Sequence, residues 1–206
     1  MSEAQTDAEL LSAWRQGNET AGNTLFRRHF PAVRRFFINK VSSEEFEDLV
    51  QATFMGCVES AERFRGDASF RTFLFAIARR QLFKHLRDRT RKDAKRDFDA
   101  GVSSIHALGR SPSSALAAEE QHGLLLSALQ RVPVEQQALL ELHYWEDMRA
   151  NELAEVFEVE PTTARTRLHR ARRALEGVFP QLVASAEAGA VTGDLEAIAR
   201  ALGRRI

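Results

Sequence analysis

The sequence has a single cysteine, Cys57, and no long apolar run. One cysteine in 206 residues excludes a disulfide framework and a zinc site made of several cysteines, and is typical of a reducing cytoplasm. No apolar stretch approaches the roughly 20 residues that a transmembrane helix needs. The acidic N-terminus MSEAQTDAELLSAW lacks the basic region and apolar core of a secretory signal. We therefore expect a cytoplasmic protein without membrane insertion.

Motifs that carry enzymatic chemistry are also lacking. The sequence has no glycine-rich phosphate loop and no nucleophile elbow. Its histidines are scattered without the spacing of metal ligands; they are His29, His85, His106, His122, His143 and His169. We therefore expect no catalytic residue, no cofactor and no metal site.

The net charge of zero hides a strong segregation of charge along the chain. Residues 63–96 hold twelve Lys or Arg and three Asp or Glu, and residues 161–175 hold five arginines and no acid. Residues 119–160, between these islands, hold ten acids and two arginines. Two basic islands in an otherwise acidic chain indicate two separate anion-binding surfaces, with two solvated helix faces as the plainer alternative.

Apolar residues recur every three or four positions in two blocks, which predicts amphipathic helices and no strands. Thr6 and Glu9 form a capping box, Ser43 is a candidate N-cap, and Ser69 can cap the helix that follows the break at Gly66. Pro31 is expected to kink or interrupt its helix. The fold class is therefore all-α, with two small helical domains joined by a flexible linker.

The domain boundaries follow from composition. We expect a first domain at 1–96, a Ser-, Gly- and Ala-rich linker at 97–118, a second domain at 119–179 and a tail at 180–206. Helices predicted at 150–157 and from Pro161 to about Val178 are joined by a short turn, which is the layout of a helix-turn-helix. In the tail, Leu195 and Leu202 belong to an apolar stripe that predicts a short helix, expected to form only when docked; a frayed tail is the alternative.

The second helix of this pair, PTTARTRLHRARRALE, has the residue types that read duplex DNA. An inward stripe leaves threonines and arginines toward solvent, where arginine can pair with guanine and threonine can contact phosphate or a thymine methyl. Arg172 and Arg173 suit phosphates or the helix C-terminus. The candidate DNA-reading residues are Thr162, Thr163, Arg165, Thr166, Arg167 and Arg170.

The stretch FRGDASFRTFLFAIARRQLFKHLRDRTRK combines aromatic and basic residues. Phe70, Phe73 and Leu74 fit a core stripe, whereas Phe64 and Phe75 fit it less well. A turn at Gly66 flanked by arginines could hold an unstacked base, and cations along one helix side could follow DNA phosphates. The candidate residues here are Arg63, Arg65, Gly66, Arg71, Arg79, Arg80 and Lys84.

These motifs resemble those of a known family. DLVQATFMGCVESAERFRGDASFRTFLFAIARRQLFKHLR is similar to region two of bacterial sigma factors of the extracytoplasmic function group. ALQRVPVEQQALLELHYWEDMRANELAEVFEVEPTTARTRLHRARRAL is similar to their region four. The resemblance covers nearly all of residues 7–175. Glu158 departs from the family pattern, which usually has a glycine in this turn.

The resemblance implies a transcription initiation factor and not an enzyme. Region two would capture a base of the minus-ten element on the loop at 64–70, which adds Phe64, Ser69 and Phe70 to the candidate residues. Region four would read the minus-thirty-five element. The implied partners are core RNA polymerase, promoter DNA and an anti-sigma factor or other regulator. By resemblance alone, the polymerase-binding residues would be Asp48, Leu49, Gln51 and Phe54.

Two other interpretations of the chain compete with this one. A stand-alone helix-turn-helix regulator would use the first domain as a sensor or a dimerisation module. A helical hydrolase would need buried carboxylates, and its candidates Glu44, Glu45 and Asp48 are expected at an exposed helix start.

Overall fold

The computed structural model describes residues 5–61, 64, 68–97, 117–185 and 195–203. Over these residues the protein is all-helical, with nine helices and no strand, which confirms the predicted fold class. The chain divides into two compact units. Helices α1–α4 belong to the first unit, and α5–α9, apart from the Glu155–Phe157 end of α7, belong to the second.

Four helices build the first unit: α1 is Asp7–Arg15, α2 is Glu19–Ile38, α3 is Ser43–Ser60 and α4 is Phe70–Asp97. Helix α2 packs on α1, α3 and α4, and α3 also packs along α4. Gly22 on α2 is required at the α1–α2 contact because a Cβ there would overlap the Trp14 ring. Helix α2 runs unbroken through Pro31, which therefore does not interrupt it.

The starts of α1 and α3 are set by capping boxes. At α1, Glu9 N donates to Thr6 Oγ1 at 3.3 Å and Thr6 N donates to Glu9 Oε2 at 2.8 Å, as the sequence predicts. At α3 the cap is Ser42 and not Ser43, because the acid three residues after the cap that closes the box is Glu45. Ser42 N and Oγ both donate to the Glu45 carboxylate, at 3.2 and 2.6 Å.

The core of the first unit is rich in phenylalanine. Phe37 and Phe75 are completely buried, and Phe36 lies 5.8 Å from Phe75 between ring centroids. The expectation that Phe75 fits the apolar stripe less well is therefore wrong. Helix α4 is contacted by both α2 and α3, so its buried face is wider than the single stripe counted along the sequence.

Five helices lie in the second part of the chain: α5 is Ala117–Leu129, α6 is Val134–Tyr144, α7 is Ala150–Phe157, α8 is Pro161–Ser185 and α9 is Leu195–Gly203. Helix α8 packs on α5 and α6. It extends past Pro180, well beyond the predicted end near Val178. The buried side chains of Phe179 and Leu182 continue its apolar stripe, and this packing supports the extra turns.

The turn between α7 and α8 has a left-handed residue. Glu158 has a φ of 55°, a region in which a Cβ is strained and glycine is favoured. The amide of Val159 donates to Ala154 O at 2.9 Å, so the last turn of α7 closes across Glu158. Helix α8 then begins at Pro161, whose ring suits the first turn of a helix.

Candidate nucleic-acid interface

Helix α8 separates a buried stripe from an exposed polar surface. Ala164, Leu168, Ala171 and Leu175 are all buried, as their spacing predicts. The predicted DNA-reading residues lie off this stripe and fall into two groups. Thr162, Arg165, Thr166 and Arg170 are exposed, whereas Thr163 and Arg167 are half-buried.

Arg167 is tied to a neighbouring helix. Its Nη1 donates to the Glu135 carboxylate in the first turn of α6, and the two side chains keep 38% and 43% of their exposure. The ion pair leaves other N–H groups of the guanidinium available but restricts its direction. Sequence reasoning missed Glu135, because its only signal was an acid at the start of a helix.

Thr166 is oriented by its own helix. Its hydroxyl donates to Thr162 O one turn earlier, at 3.0 Å. This bond uses the only hydroxyl hydrogen, so Thr166 Oγ1 can only accept from a further partner, and the methyl group is the other contact that the side chain offers. That arrangement suits a donor on a base edge or a thymine methyl better than a phosphate oxygen.

Arg172 is not the free phosphate contact that the sequence suggests. Its Nη2 lies 2.8 Å from His143 Nε2, its Nη1 lies 3.5 Å from Glu196 Oε1, and its guanidinium lies 5.5 Å from the centre of the Tyr144 ring. These partners are on α6 and α9, far away in sequence. Arg173, the neighbouring residue, is exposed.

The ring of His143 is held in one tautomer by its two partners. Nδ1 lies 2.9 Å from Met148 O and must donate, so Nε2 accepts from Arg172. Burial is the largest effect on the pKa of His143 and lowers it from 6.5. The hydrogen bond to Met148 O raises that pKa, and the charges of Arg172 and Arg200 lower it further. A neutral His143 is therefore the form that fits Arg172.

The second candidate surface lies in the first unit, around the start of α4. Phe64 is 8% exposed and its ring centroid lies 4.5 Å from that of Phe73. Phe70 is 3% exposed and lies 5.3 Å from the His29 ring. Both side chains pack inward, so in this conformation neither presents its ring to a base.

Other residues of this surface are partly described. Ser69 caps α4 as predicted: its Oγ accepts from Thr72 N at 3.1 Å. Arg71 is half-buried. Arg63, Arg65 and Gly66 lie outside the described residues.

A basic row runs along α4. Arg80 and Lys84 are exposed, and Arg87 continues the row one turn later. Arg80 Nε also donates to Ala76 O at 3.3 Å, which directs its side chain back along the helix. Arg79 lies off this row, half-buried, with its guanidinium 5.5 Å from the Phe83 ring centre. The sequence placed Arg79 with the row, and the structure separates it.

Helix α3 presents a mixed polar and apolar surface. Asp48 and Gln51 are exposed and Phe54 is half-buried, but Leu49 is 7% exposed and packs into the core. Met55 and Val58 share the face of Asp48 and Gln51, and are 51% and 47% exposed. Leu49 is thus an inward residue, and the outward apolar surface of this face comes from Met55 and Val58.

Comparison with known proteins shows which family has these helices and surfaces. Residues 25–92 match Sigma-70 region 2, and residues 122–175 match Sigma-70, region 4. The chain belongs to the sigma-70 family of RNA polymerase sigma factors. The first match includes α3 and the basic row of α4, and the second includes the exposed surface of α8 as far as Leu175.

Relatives of this sigma factor include members of the extracytoplasmic function (ECF) group. The ECF RNA polymerase sigma-E factor of Haemophilus influenzae is 25% identical over 189 residues, covering 89% of this chain and 100% of that protein. The sigma-E factor of Escherichia coli strain K12 is also 25% identical over 189 residues, with 89% and 99% covered. These relatives place the sigma factor in the ECF group.

Solved structures share the fold of this sigma factor. CnrH, solved with the cytosolic domain of CnrY, has a TM-score of 0.62 at 21% identity, covering 85% of this chain and 97% of that one. RpoE of Bartonella quintana, solved with the anti-sigma factor NepR, has a TM-score of 0.60 at 21% identity, with 77% and 96% covered.

Two features are absent from the described part of the sigma factor. No described helix combines the length and apolarity needed to cross a membrane. The described histidines, cysteine and acids form no group of three that could hold a metal ion.

Proposed function

We propose that this sigma factor binds core RNA polymerase, directs it to specific promoters and helps to open the promoter duplex. The observation that carries the proposal is the pair of exposed basic surfaces, one on α4 and one on α8, each inside a separate sigma-70 match. Two such surfaces suit two separated promoter elements. Catalysis belongs to the polymerase in this proposal, and the chain works in the cytoplasm without a cofactor.

The exposed surface of α8 would read the minus-thirty-five element as duplex. Arg165 and Arg170 are exposed arginines on the side away from the buried stripe, where a helix lying in the major groove presents its base-reading residues. Thr162 and Thr166 flank them, and Thr163 and Arg167 lie at the edge of this surface. Arginine in this setting pairs with guanine O6 and N7.

The loop before α4 would capture a base from the melted minus-ten element. Phe64 and Phe70 anchor the two ends of this loop in the core, so their role is to position it. The base and its backbone would then be contacted by Arg63, Arg65, Gly66, Ser69 and Arg71. The basic row of α4, with Arg79 beside it, would hold the adjacent phosphates.

The outer face of α3 would bind the polymerase. Asp48 and Gln51 are exposed there, Phe54 is half-buried beside them, and Met55 and Val58 add apolar area. Apolar residues rimmed by polar ones are typical of protein interfaces. Leu49 would support this face from inside the helix packing.

A protein inhibitor is a further expected partner. RpoE of Bartonella quintana, which shares the fold, was solved in complex with an anti-sigma factor. We propose that an anti-sigma factor or another regulator controls this chain too.

Run-off transcription with purified core polymerase on fragments of the source genome tests the proposal. We expect transcripts with defined starts only when the chain is added. Sequence-specific duplex binding without polymerase association or new transcripts would instead indicate the stand-alone helix-turn-helix regulator. An absence of both activities would contradict any promoter-directed role.

A further inference from the structure

The C-terminal helix α9 packs on the second unit, which contains the candidate DNA-reading helix α8. Ile198, Ala199 and Leu202 are buried, and the helix packs on α5 and α6. Its last residue, Gly203, lies so close to Trp145 that a Cβ there would overlap the indole ring. A helix of nine residues is marginal alone in water, so this packing accounts for its formation.

The polar side of α9 is held by a hydrogen bond and an ion pair to residues that follow one another closely in the chain. Tyr144 Oη donates to Glu196 Oε1 at 3.0 Å, and Arg200 pairs with Asp147 at 2.9 Å. The guanidinium of Arg200 lies 5.4 Å from the Tyr144 ring centre. Burial is the main cause that raises the pKa of Tyr144 to about 12, so its hydroxyl keeps the hydrogen that it donates.

Glu196 supplies an acid beside the part of α8, residues 161–175, that has none of its own. Residues 161–175 contain five arginines and no acid, and Arg172 is the arginine that α9 reaches. Arg172 lies seven residues after Arg165 and therefore on the same side of α8, about 10 Å further along its axis. Arg165 is exposed, whereas the Arg172 side chain keeps 33% of its exposure and is directed toward Glu196 and His143.

We propose that Glu196 determines how many arginines of α8 reach DNA, because its carboxylate holds Arg172 away from the phosphates. The inference rests on the proposed function in one respect, that α8 lies against duplex DNA. A phosphate oxygen and the Glu196 carboxylate are competing partners for the same guanidinium. While α9 is docked, the binding surface contains Arg165 and Arg170 but not Arg172.

Glu196→Gln separates this role from the docking of α9. The amide oxygen can still accept from Tyr144 Oη, but the charge opposite Arg172 is lost. Among the described residues, Arg172 then keeps only uncharged partners, His143 Nε2 and the Tyr144 ring, with which a charged phosphate competes more effectively than with a carboxylate. The added phosphate contact increases the slope of log affinity against log salt by about 0.9. A fourfold rise in salt should therefore weaken the variant about 3.5-fold more than the wild type.

The matched control is Asp147→Asn. It removes one negative charge from the same docked surface, from a residue that pairs with Arg200 and not with Arg172. Asp147 has a φ of 50°, and asparagine tolerates this left-handed conformation. Any general effect of lowering the negative charge appears in this variant too.

The experiment measures binding of the full chain to a fluorescein-labelled 30-base-pair duplex of random sequence by anisotropy, from 50 to 200 mM salt. We expect Glu196→Gln to bind more tightly with a slope steeper by about one, Asp147→Asn to match the wild type, and Arg172→Ala to cancel the gain in the double variant. Equal affinity and slope for Glu196→Gln and Asp147→Asn would overturn the inference.

Two further variants complete the test. Arg172→Ala alone should leave wild-type affinity unchanged, because Arg172 is already withheld; a clear loss would overturn the inference even if Glu196→Gln fails to fold. Arg165→Ala should weaken binding. If it does so while Glu196→Gln has no effect, only this inference fails, and if it does not, the placement of α8 on DNA fails as well.

Discussion

Arg167 on α8 donates to the carboxylate of Glu135 at the start of α6. The pair joins the candidate reading helix to the helix beneath it and directs a guanidinium at the edge of the exposed surface. The ion pair fixes the direction of the Arg167 guanidinium. Arg165 and Arg170 take no part in this pair.

Glu135→Ala tests whether the fixed direction of Arg167 contributes to base recognition and to stability. Both side chains are partly exposed, so the free energy of unfolding should fall by less than about 1 kcal/mol. The set of upstream sequences selected by the variant should broaden at one base pair, because the Arg167 guanidinium is no longer held. Selection from a random duplex library by the polymerase complex measures this, with Arg165→Ala as reference. An unaltered motif would mean that Arg167 does not read a base.

Asp48→Ala with Gln51→Ala should weaken association with core polymerase while the circular dichroism stays unchanged. Both residues are exposed on α3, so their removal costs the fold little. Quantitative pull-down with core polymerase is the measurement. The matched control replaces Glu176 and Gln181, an exposed acid and an exposed glutamine on α8. Full-strength binding by the α3 variant would contradict the assignment of this face.

Glu158→Gly should stabilise the second unit relative to Glu158→Ala by about 1 kcal/mol. Both changes remove the same side chain, but alanine keeps the Cβ that strains a left-handed residue, and glycine does not. Glycine also gains entropy in the unfolded chain, which reduces the difference. Urea unfolding of both variants followed at Trp145 is the measurement. Alanine equal to or better than glycine would show that the φ of 55° carries no strain.

His143 should make the second unit less stable in mild acid. Its pKa is lowered in the folded state from 6.5, so the unfolded chain takes up the proton first as the pH falls below about 6.5. The stability is complete above that pH and decreases below it. The groups that face His143 are Arg172 on α8, Glu196 and Arg200 on α9, and Met148 O.

His143→Gln should flatten the dependence of unfolding free energy on pH between about 7.5 and 5.5, even if the variant is less stable throughout. Thermal and urea unfolding at matched pH values provide the measurement. A wild-type profile as flat as that of the variant would show that His143 accepts protons equally well in both states.

Local sequence signals predicted the helices well, and distant partners account for what they missed. The capping box at Thr6 and the α7 bounds needed only neighbours along the chain, and both are confirmed. Phe75 was misjudged because α4 is covered by two helices, and α8 runs beyond its predicted end because Phe179 and Leu182 find buried contacts.

The candidate site also divides into features that local sequence signals predict and features that depend on distant partners. The spacing of Ala164 and Leu168 correctly separates the buried and exposed sides of α8. It could not show that Arg172 is bound by Glu196, because the two residues are 24 positions apart and meet only through the docking of α9. Leu49 was assigned by resemblance to a polymerase contact, but it is 7% exposed and lies in the core, with α4 packed along α3.

The two tryptophans that pack against glycine make intrinsic fluorescence a probe of each unit. The protein's only two tryptophans are Trp14, seated on Gly22 in the first unit, and Trp145, seated on Gly203 in the second. Replacing either one with phenylalanine leaves a single fluorophore, so the unfolding of each unit can be followed separately without a label. Because Trp145 contacts the last residue of α9, its emission would also report whether that helix stays docked in the complex with the polymerase.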